Sequence, residues 1–434
     1  MFREKSAADG FVQTRSSSAW LFFAMCVAVY IVSYLIRYFY IGYFVFNNLN
    51  FDEVNPDWNM ILPAGLNQSF LICSLIFGIF FSIGYSTIRP KAFIRISYAK
   101  TNQNAQIVLL SLIIFCLGMR VAFGTRLGEE VSPMPFGLTA PVNRAINDLI
   151  PGMILLFMES SFFSGEKKNY RFWLFILFAF NITISALSTS KAGMVFFAAE
   201  MVMFIYLTGQ PLFKNPIRWI LIFFMVLVVF ALGTELRARA GGGYSEYSIL
   251  IANGSYLEFL LKVAGTFFNR IIGLEGYSLS CGYSCSTLPS FSSLSFESFT
   301  GEAGRIFTQQ IVGVMRDFDY RSPGLLGGAA LLAGTFGGGL LAISFLLGFL
   351  YVFSYFDRGR YCIAFKIALV FGTFRFIVEG TWSAVDLIAL FIGAIIIEFA
   401  SRGMPLGSGI VDYSEKMTVA VRAKADKKTV GQRS

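Results

Sequence analysis

Apolar residues in this chain fall in long blocks separated by short polar breaks, and block length decides what they form. A stretch of about 17–25 apolar residues is what an α-helix needs to cross the ~30 Å hydrocarbon core of a bilayer. Ten blocks of about 14–27 residues predict membrane spans at approximately Trp20–Phe46, Leu66–Tyr85, Gln106–Phe123, Ile146–Phe163, Phe172–Leu187, Ala192–Leu207, Trp219–Leu232, Gly339–Phe356, Tyr361–Val378 and Val385–Ala400. The first follows Arg3, Lys5 and Arg15, runs about 27 residues and lacks a small-residue cleavage site. It therefore reads as a retained anchor and not as a removable signal.

One segment departs from this pattern. Gly233–Gly338, about 105 residues, does not read as a simple span, although Tyr256–Phe268 and Ile306–Met315 are helix-like apolar stretches. A connection of that length is usually functional. Its end, Gly324–Gly339, carries small-xxx-small spacing at Gly324/Gly328 and Gly334/Gly338. In a membrane that spacing means close helix packing or a re-entrant segment, and no Lys-Ser/Thr follows to make it a phosphate loop. The expected organisation is an N-terminus over 1–19, seven spans over 20–232 and a long, partly helical loop with Gly-rich membrane re-entry over 233–338. Three spans over 339–400 and a basic tail over 401–434 complete it.

Composition agrees and removes several classes. The chain is 56% hydrophobic and only 14% charged, where a soluble domain carries about 25% charged residues. A water-soluble enzyme, a disordered chain and a coiled coil are all excluded. The fold class is all-α and polytopic. Histidine is absent, which removes the commonest general base, the usual zinc ligand and every Ser-His-Asp or Cys-His arrangement. The net charge of +9 reflects orientation once the charges are placed. With the N-terminus inside, 21 basic residues fall on the cytoplasmic side, while the short outer loops hold Arg126, Arg144 and Lys191. Both termini are thus expected in the cytoplasm, and no nucleic acid is expected as a partner. By this topology the long loop is outside. Cys281 and Cys285, four residues apart in that loop, are candidates for a small disulfide because oxidation is permitted there. Cys26, Cys73, Cys116 and Cys362 lie in or beside spans and read as packing residues.

Candidate chemistry concentrates in the long loop. Arg237, Arg239, Arg270, Arg305, Arg316 and Arg321, with Lys262, form a basic set dominated by Arg. Guanidinium is a planar, bidentate fork for phosphate or carboxylate that never deprotonates. The bland alternative is a solvated face pairing with Glu235, Glu246, Glu258, Glu275, Glu297 and Glu302. Within Arg316-Asp-Phe-Asp-Tyr-Arg-Ser-Pro-Gly324, Asp317 and Asp319 could serve as a base for a sugar hydroxyl or as a D-x-D metal site. Equally, this could be a helix end with ion pairs before a Pro-Gly stop. Ser188-Thr-Ser-Lys191-Ala-Gly193 sets a cation at a helix start, where an anion is already favoured, or is a plain turn with a snorkelling Lys. Inside spans, Arg37, Arg120, Arg375 and Glu379 lie near outer ends and could line one outward cavity or form structural ion pairs. Glu200 and Lys366 sit deeper.

Together these features resemble the bacterial O-antigen (oligosaccharide repeat unit) polymerases, the Wzy family. The likeness rests on a His-poor, Phe-rich polytopic chain, a late Arg-bearing loop, and Arg316-Asp-Phe-Asp-Tyr-Arg-Ser-Pro-Gly324 leading into Gly-rich membrane. Ser188-Thr-Ser-Lys191-Ala-Gly193 is similar to the Ser-Arg-Gly turn of such polymerases and of O-antigen ligases. Lys stands where Arg is usual, which keeps the charge and loses the bidentate fork. The resemblance implies a fold similar to the GT-C glycosyltransferases in the bacterial inner membrane. It also implies a metal-independent glycosyltransferase without cofactor, working at the periplasmic face. It would move a growing glycan from undecaprenyl pyrophosphate onto the non-reducing end of another lipid-linked repeat, within the bilayer and in company with a chain-length regulator. Pyrophosphate or sugar contacts would fall to Arg237, Arg239, Arg270, Arg316, Arg321, Lys191, Arg120 and Tyr320, and the base would be Asp317, Asp319 or Glu275.

Two other classes fit in part. Glycosyltransferases that use polyprenyl monophosphate sugars place an acidic pair in the first outer loop, where Asp52 and Glu53 stand, although this loop of about 19 residues is short for them. A lipid-linked oligosaccharide flippase would be expected to show two similar halves, and no such repeat is visible.

Overall fold

The computed structural model describes residues 11–12, 15–46, 58–87, 94–95, 103–123, 134–187, 192–209, 246–260, 273–286, 323–356, 361–379 and 385–402, with isolated positions 217, 220 and 235. Regular structure there is helical apart from a two-residue antiparallel pairing, Phe11 with Arg95 and Val12 with Ile94. Helix is the form dictated by the blocks, because no water reaches the hydrocarbon core to satisfy a backbone left open.

The first block is α1 (Arg15–Tyr30), a π-turn (Ile31–Ile36) and α2 (Arg37–Phe46). It is followed by α3 (Trp58–Thr87), α4 (Gln103–Ala122), α5 (Thr139–Arg144), a second π-turn (Ala145–Leu149) and α6 (Ile150–Phe163). Next come α7 (Lys167–Leu187), α8 (Ala192–Leu207), α9 (Glu246–Ala252), α10 (Leu274–Ser286), α11 (Gly324–Tyr355), α12 (Cys362–Glu379) and α13 (Val385–Arg402). Among the described residues, five stretches are long and apolar enough to cross a membrane: Ala19–Gly42, Leu66–Thr87, Gln103–Ala122, Pro141–Phe163 and Ala333–Tyr355. The chain is therefore a helical membrane protein. The remaining expected spans that can be followed are also helices, whereas nearly all of Trp219–Leu232 lies outside the described residues.

α11 occupies the middle, packing on α1, α3, α10 and α12, while α13 packs on α4, α6, α12 and the second π-turn. Aromatic layers fill the seams, as where Phe23 of α1 stacks on Phe80 of α3 at 5.0 Å between ring centroids. Gly84 of α3 makes that seam fit, since a Cβ there would lie 1.7 Å from the Phe23 ring. Phe23 is buried and held by its stack, so Gly84→Ala should cost about 1–3 kcal/mol through overpacking. A thermal midpoint in detergent equal to wild type would show that α1 and α3 do not close there.

The Gly-rich run differs from a loop that reaches a span at Gly339. Its residues are helical from Gly324, and the chain bends sharply at Gly334 (φ 72°, ψ 176°), a left-handed φ that suits glycine. The bend sets Gly338 against the backbone of Ala329 and Ala330, where a Cβ would lie 2.7 Å from three backbone atoms. In a straight helix those residues would stand about 12–13.5 Å apart. The arm Gly324–Ala333 is thus folded back along the start of the membrane-length arm, with Gly324–Leu331 buried throughout.

Candidate functional site

Four elements meet at the first π-turn. A π-turn widens the helix and recurs at functional positions; here it buries Ser33 and Tyr34. The chain entering α10 touches it directly, for a Cβ on Gly273 would lie 2.0 Å from the Ser33 carbonyl oxygen. The Tyr34 hydroxyl lies among Tyr30, Cys73, Tyr277 and the backbone of Leu326, so α1, α3, α10 and the short arm of α11 all face it. Tyr30 and Ser74 share a hydrogen bond of 2.6 Å. The Ser280 hydroxyl donates to the Gly276 carbonyl at 2.7 Å, while Ser33 Oγ is buried with no hydrogen-bond partner among the described residues. Just beyond the turn, the buried Arg37 guanidinium stands 5.0 Å over the Tyr40 ring.

Glycine also sets the fit of α10 against the short arm. A Cβ on Gly327 would lie 3.0 Å from both the Gly276 carbonyl oxygen and Ser280 Oγ. The chain leaves this helix pair after Ser286 and re-enters it at Pro323, so the stretch 287–322 begins and ends on one buried support. That stretch contains Arg305, Arg316, Asp317, Asp319, Tyr320 and Arg321, and Arg270 and Glu275 flank the other end of α10.

Lys191, Arg237, Arg239, Lys262, Arg270, Arg316, Asp317, Asp319, Tyr320 and Arg321 lie outside the described residues, as do Asp52 and Glu53. The backbones of Glu275, Cys285, Arg375 and Glu379 are placed in α10 and α12, but their side chains are not described. Arg120 is described: it donates to Asn143 Oδ1 at 3.1 Å, at the end of α4. On the residue after Asn143, Arg144 pairs with the buried Asp148 at 3.5 Å, inside the second π-turn. Arg37 thus lies at the end of the first π-turn, and Arg120 at the end of α4 against α5. Among the described residues no group of three His, Cys, Asp or Glu could hold a metal ion.

The expected disulfide falls on Cys281 and Cys285, one turn apart on α10, and the Cys285 side chain lies outside the described residues.

Sequence reasoning passed over Glu159, which is 0% exposed in α6. Its carboxylate accepts the Ile363 N–H at Oε1 (3.2 Å) and the Ala364 N–H at Oε2 (2.8 Å), so it caps the first turn of α12. Lys366, 1% exposed on the same helix, places its ammonium 5.4 Å over the Phe353 ring. Asp148 was missed as well. Both carboxylates lie inside an expected span, where an ionisable residue is itself a signal.

The chain matches no protein-family model, and no curated protein or solved structure is significantly similar to it.

Proposed function

We propose that the chain is a polysaccharide polymerase of the O-antigen type, a glycosyltransferase of about ten spans with a GT-C-like fold in a bacterial inner membrane. The observation that carries this reading is the support for the Arg-rich stretch. Residues 287–322 leave and rejoin the buried pair made by α10 and the short arm of α11, beside the π-turn that precedes Arg37. A stretch that carries phosphate-recognising residues and is tied at both ends to a packed helix pair suits a lipid-linked pyrophosphate. The pairing of Phe11–Val12 with Ile94–Arg95 supports placing the N-terminus and the basic connection Arg89–Lys100 on one side, the cytoplasmic one in this reading.

In the reaction, a sugar hydroxyl of the acceptor repeat attacks the anomeric carbon of the donor glycan as its bond to the pyrophosphate oxygen breaks. The hydroxyl proton passes to Asp317, Asp319 or Glu275, for which a carboxylate suffices without His. Arg316 and Arg321, with Arg237, Arg239, Arg270 and Lys191, take the charge that develops on the departing pyrophosphate. Undecaprenyl pyrophosphate leaves, and the glycan is one repeat longer.

Deleting the gene and running the cell-surface polysaccharide on a gel tests the reading. The expected result is loss of the ladder with a single repeat unit still attached to the core. Arg316→Ala and Arg321→Ala should each reduce chain extension by about 10²–10³-fold, the usual loss on removing one transition-state donor. Loss of even the single repeat would point to a flippase or an earlier transferase, and an unchanged ladder would overturn the proposal.

A further inference from the structure

Pro135-Phe136-Gly137 forms a tight turn between α4 and α5. Phe136 sits in the left-handed region (φ 57°, ψ 23°) and is 97% exposed. Both features are costly for a large aromatic residue: left-handed backbone is unfavourable with a Cβ, and the ring gains nothing from packing. The turn is nevertheless firmly held. The Met134 N–H donates to Thr139 Oγ1 at 2.8 Å, the Leu138 N–H to the Pro135 carbonyl at 3.3 Å, and Met134 is buried beneath. A backbone fixed this way projects the ring outward and keeps it there.

The position of the turn identifies what it meets. It lies between two stretches long and apolar enough to cross a membrane, Gln103–Ala122 ending before it and Pro141–Phe163 beginning five residues after Phe136. The hydrogen bond from Arg120 to Asn143 sets the end of the first level with the start of the second. The turn therefore stands within about one headgroup layer of the hydrocarbon boundary, the zone where membrane proteins place aromatic rings. Arg144, the residue after Asn143, has a side chain 62% exposed and pairs at 3.5 Å with the buried Asp148.

We propose that the Pro135–Gly137 turn is an interfacial lipid anchor: Phe136 is seated among phospholipid headgroups and upper acyl chains. The anchor fixes the α4–α5 connection to the membrane surface and does not depend on the reaction assigned above. Its partner is the phospholipid surface, since the ring stands at the edge of two membrane-crossing helices.

The test is Phe136→Trp in nanodiscs, read as the fluorescence added over the unsubstituted protein. Lipids brominated near the headgroup should remove most of the added emission, lipids brominated deep in the chain should remove less, and aqueous acrylamide should have little effect. Phe136→Ser supplies the blank for any change in the native tryptophans. Strong acrylamide quenching without quenching by bromolipid would place the ring in water and overturn the anchor. Protection from both quenchers would mean that protein covers it, and would overturn the anchor equally.

Discussion

Glu159→Ala should destabilise the protein by about 3–5 kcal/mol, the largest loss expected from a single side chain. The substitution removes two hydrogen bonds from a charged acceptor and leaves the Ile363 and Ala364 N–H groups buried with no replacement. Each such bond contributes about 1.5–3 kcal/mol, and water cannot take over inside a membrane bundle. The turn before these groups adds to the dependence, because Tyr361 enters α12 with a positive φ of 66°. Glu159→Gln keeps one acceptor oxygen and should lose about half as much. Unfolding of the purified protein in detergent should rank wild type above Gln and Gln above Ala. Equal midpoints would show that α12 does not need the cap. Under the proposed function the ladder should also shorten, since α12 carries Arg375 and Glu379 at its far end.

The second large effect belongs to Gly273. A Cβ there would lie 2.0 Å from the Ser33 carbonyl oxygen and 2.7 Å from its carbon, so backbone meets backbone and no side-chain rotation relieves the clash. Gly273→Ala can be accommodated only if the start of α10 moves off the π-turn, at a cost of about 2–3 kcal/mol at the upper end of overpacking losses. Gly42→Ala is the matched control. Nothing lies within 4 Å of a Cβ at Gly42, in α2, so Ala should be neutral or stabilising by up to about 1 kcal/mol. Thermal unfolding distinguishes the two, and comparable midpoints would mean that α10 is not seated on Ser33. In cells, Gly273→Ala should weaken the ladder without touching any residue assigned to chemistry.

The spans were legible where length and hydropathy decide the outcome. Ala192–Leu207 begins and ends as its block does, because little but a helix is available in lipid to a run of sixteen residues that is apolar except for Glu200. At Gly324–Ala333 the glycine spacing pointed to close helix packing or a re-entrant segment, while the helix itself was hidden because glycine is a poor helix former in water. In a bundle the same absence of Cβ lets Gly327 meet α10 and Gly338 meet Ala329, and close contact outweighs propensity. α10 was hidden for a related reason. Leu274–Ser286 is rich in Ser, Gly and Tyr and reads as polar, yet Leu274, Tyr277, Ser278, Leu279 and Ser280 are all buried. At the candidate site, the place of Arg120 at the end of α4 was readable from its position in the block. Its bond to Asn143 was not, because it joins residues 23 apart on different elements. Glu159 was overlooked since its neighbours Met158 and Phe157 make the block look uniformly apolar, although one carboxylate in a span already calls for a partner.

That partner is distant in the chain, and distance becomes time during synthesis. Glu159 precedes the N–H groups it caps by 204 and 205 residues. At about 5–20 residues per second, the carboxylate waits about 10–40 s between its own insertion and the arrival of α12. An acidic side chain inside a span is costly until its partners are in place, so the contact between α6 and α12 can close only when α12 arrives. Assembly of the bundle is in this respect completed from its C-terminal end, and a chain truncated before residue 363 would lack both N–H groups that the Glu159 carboxylate accepts from.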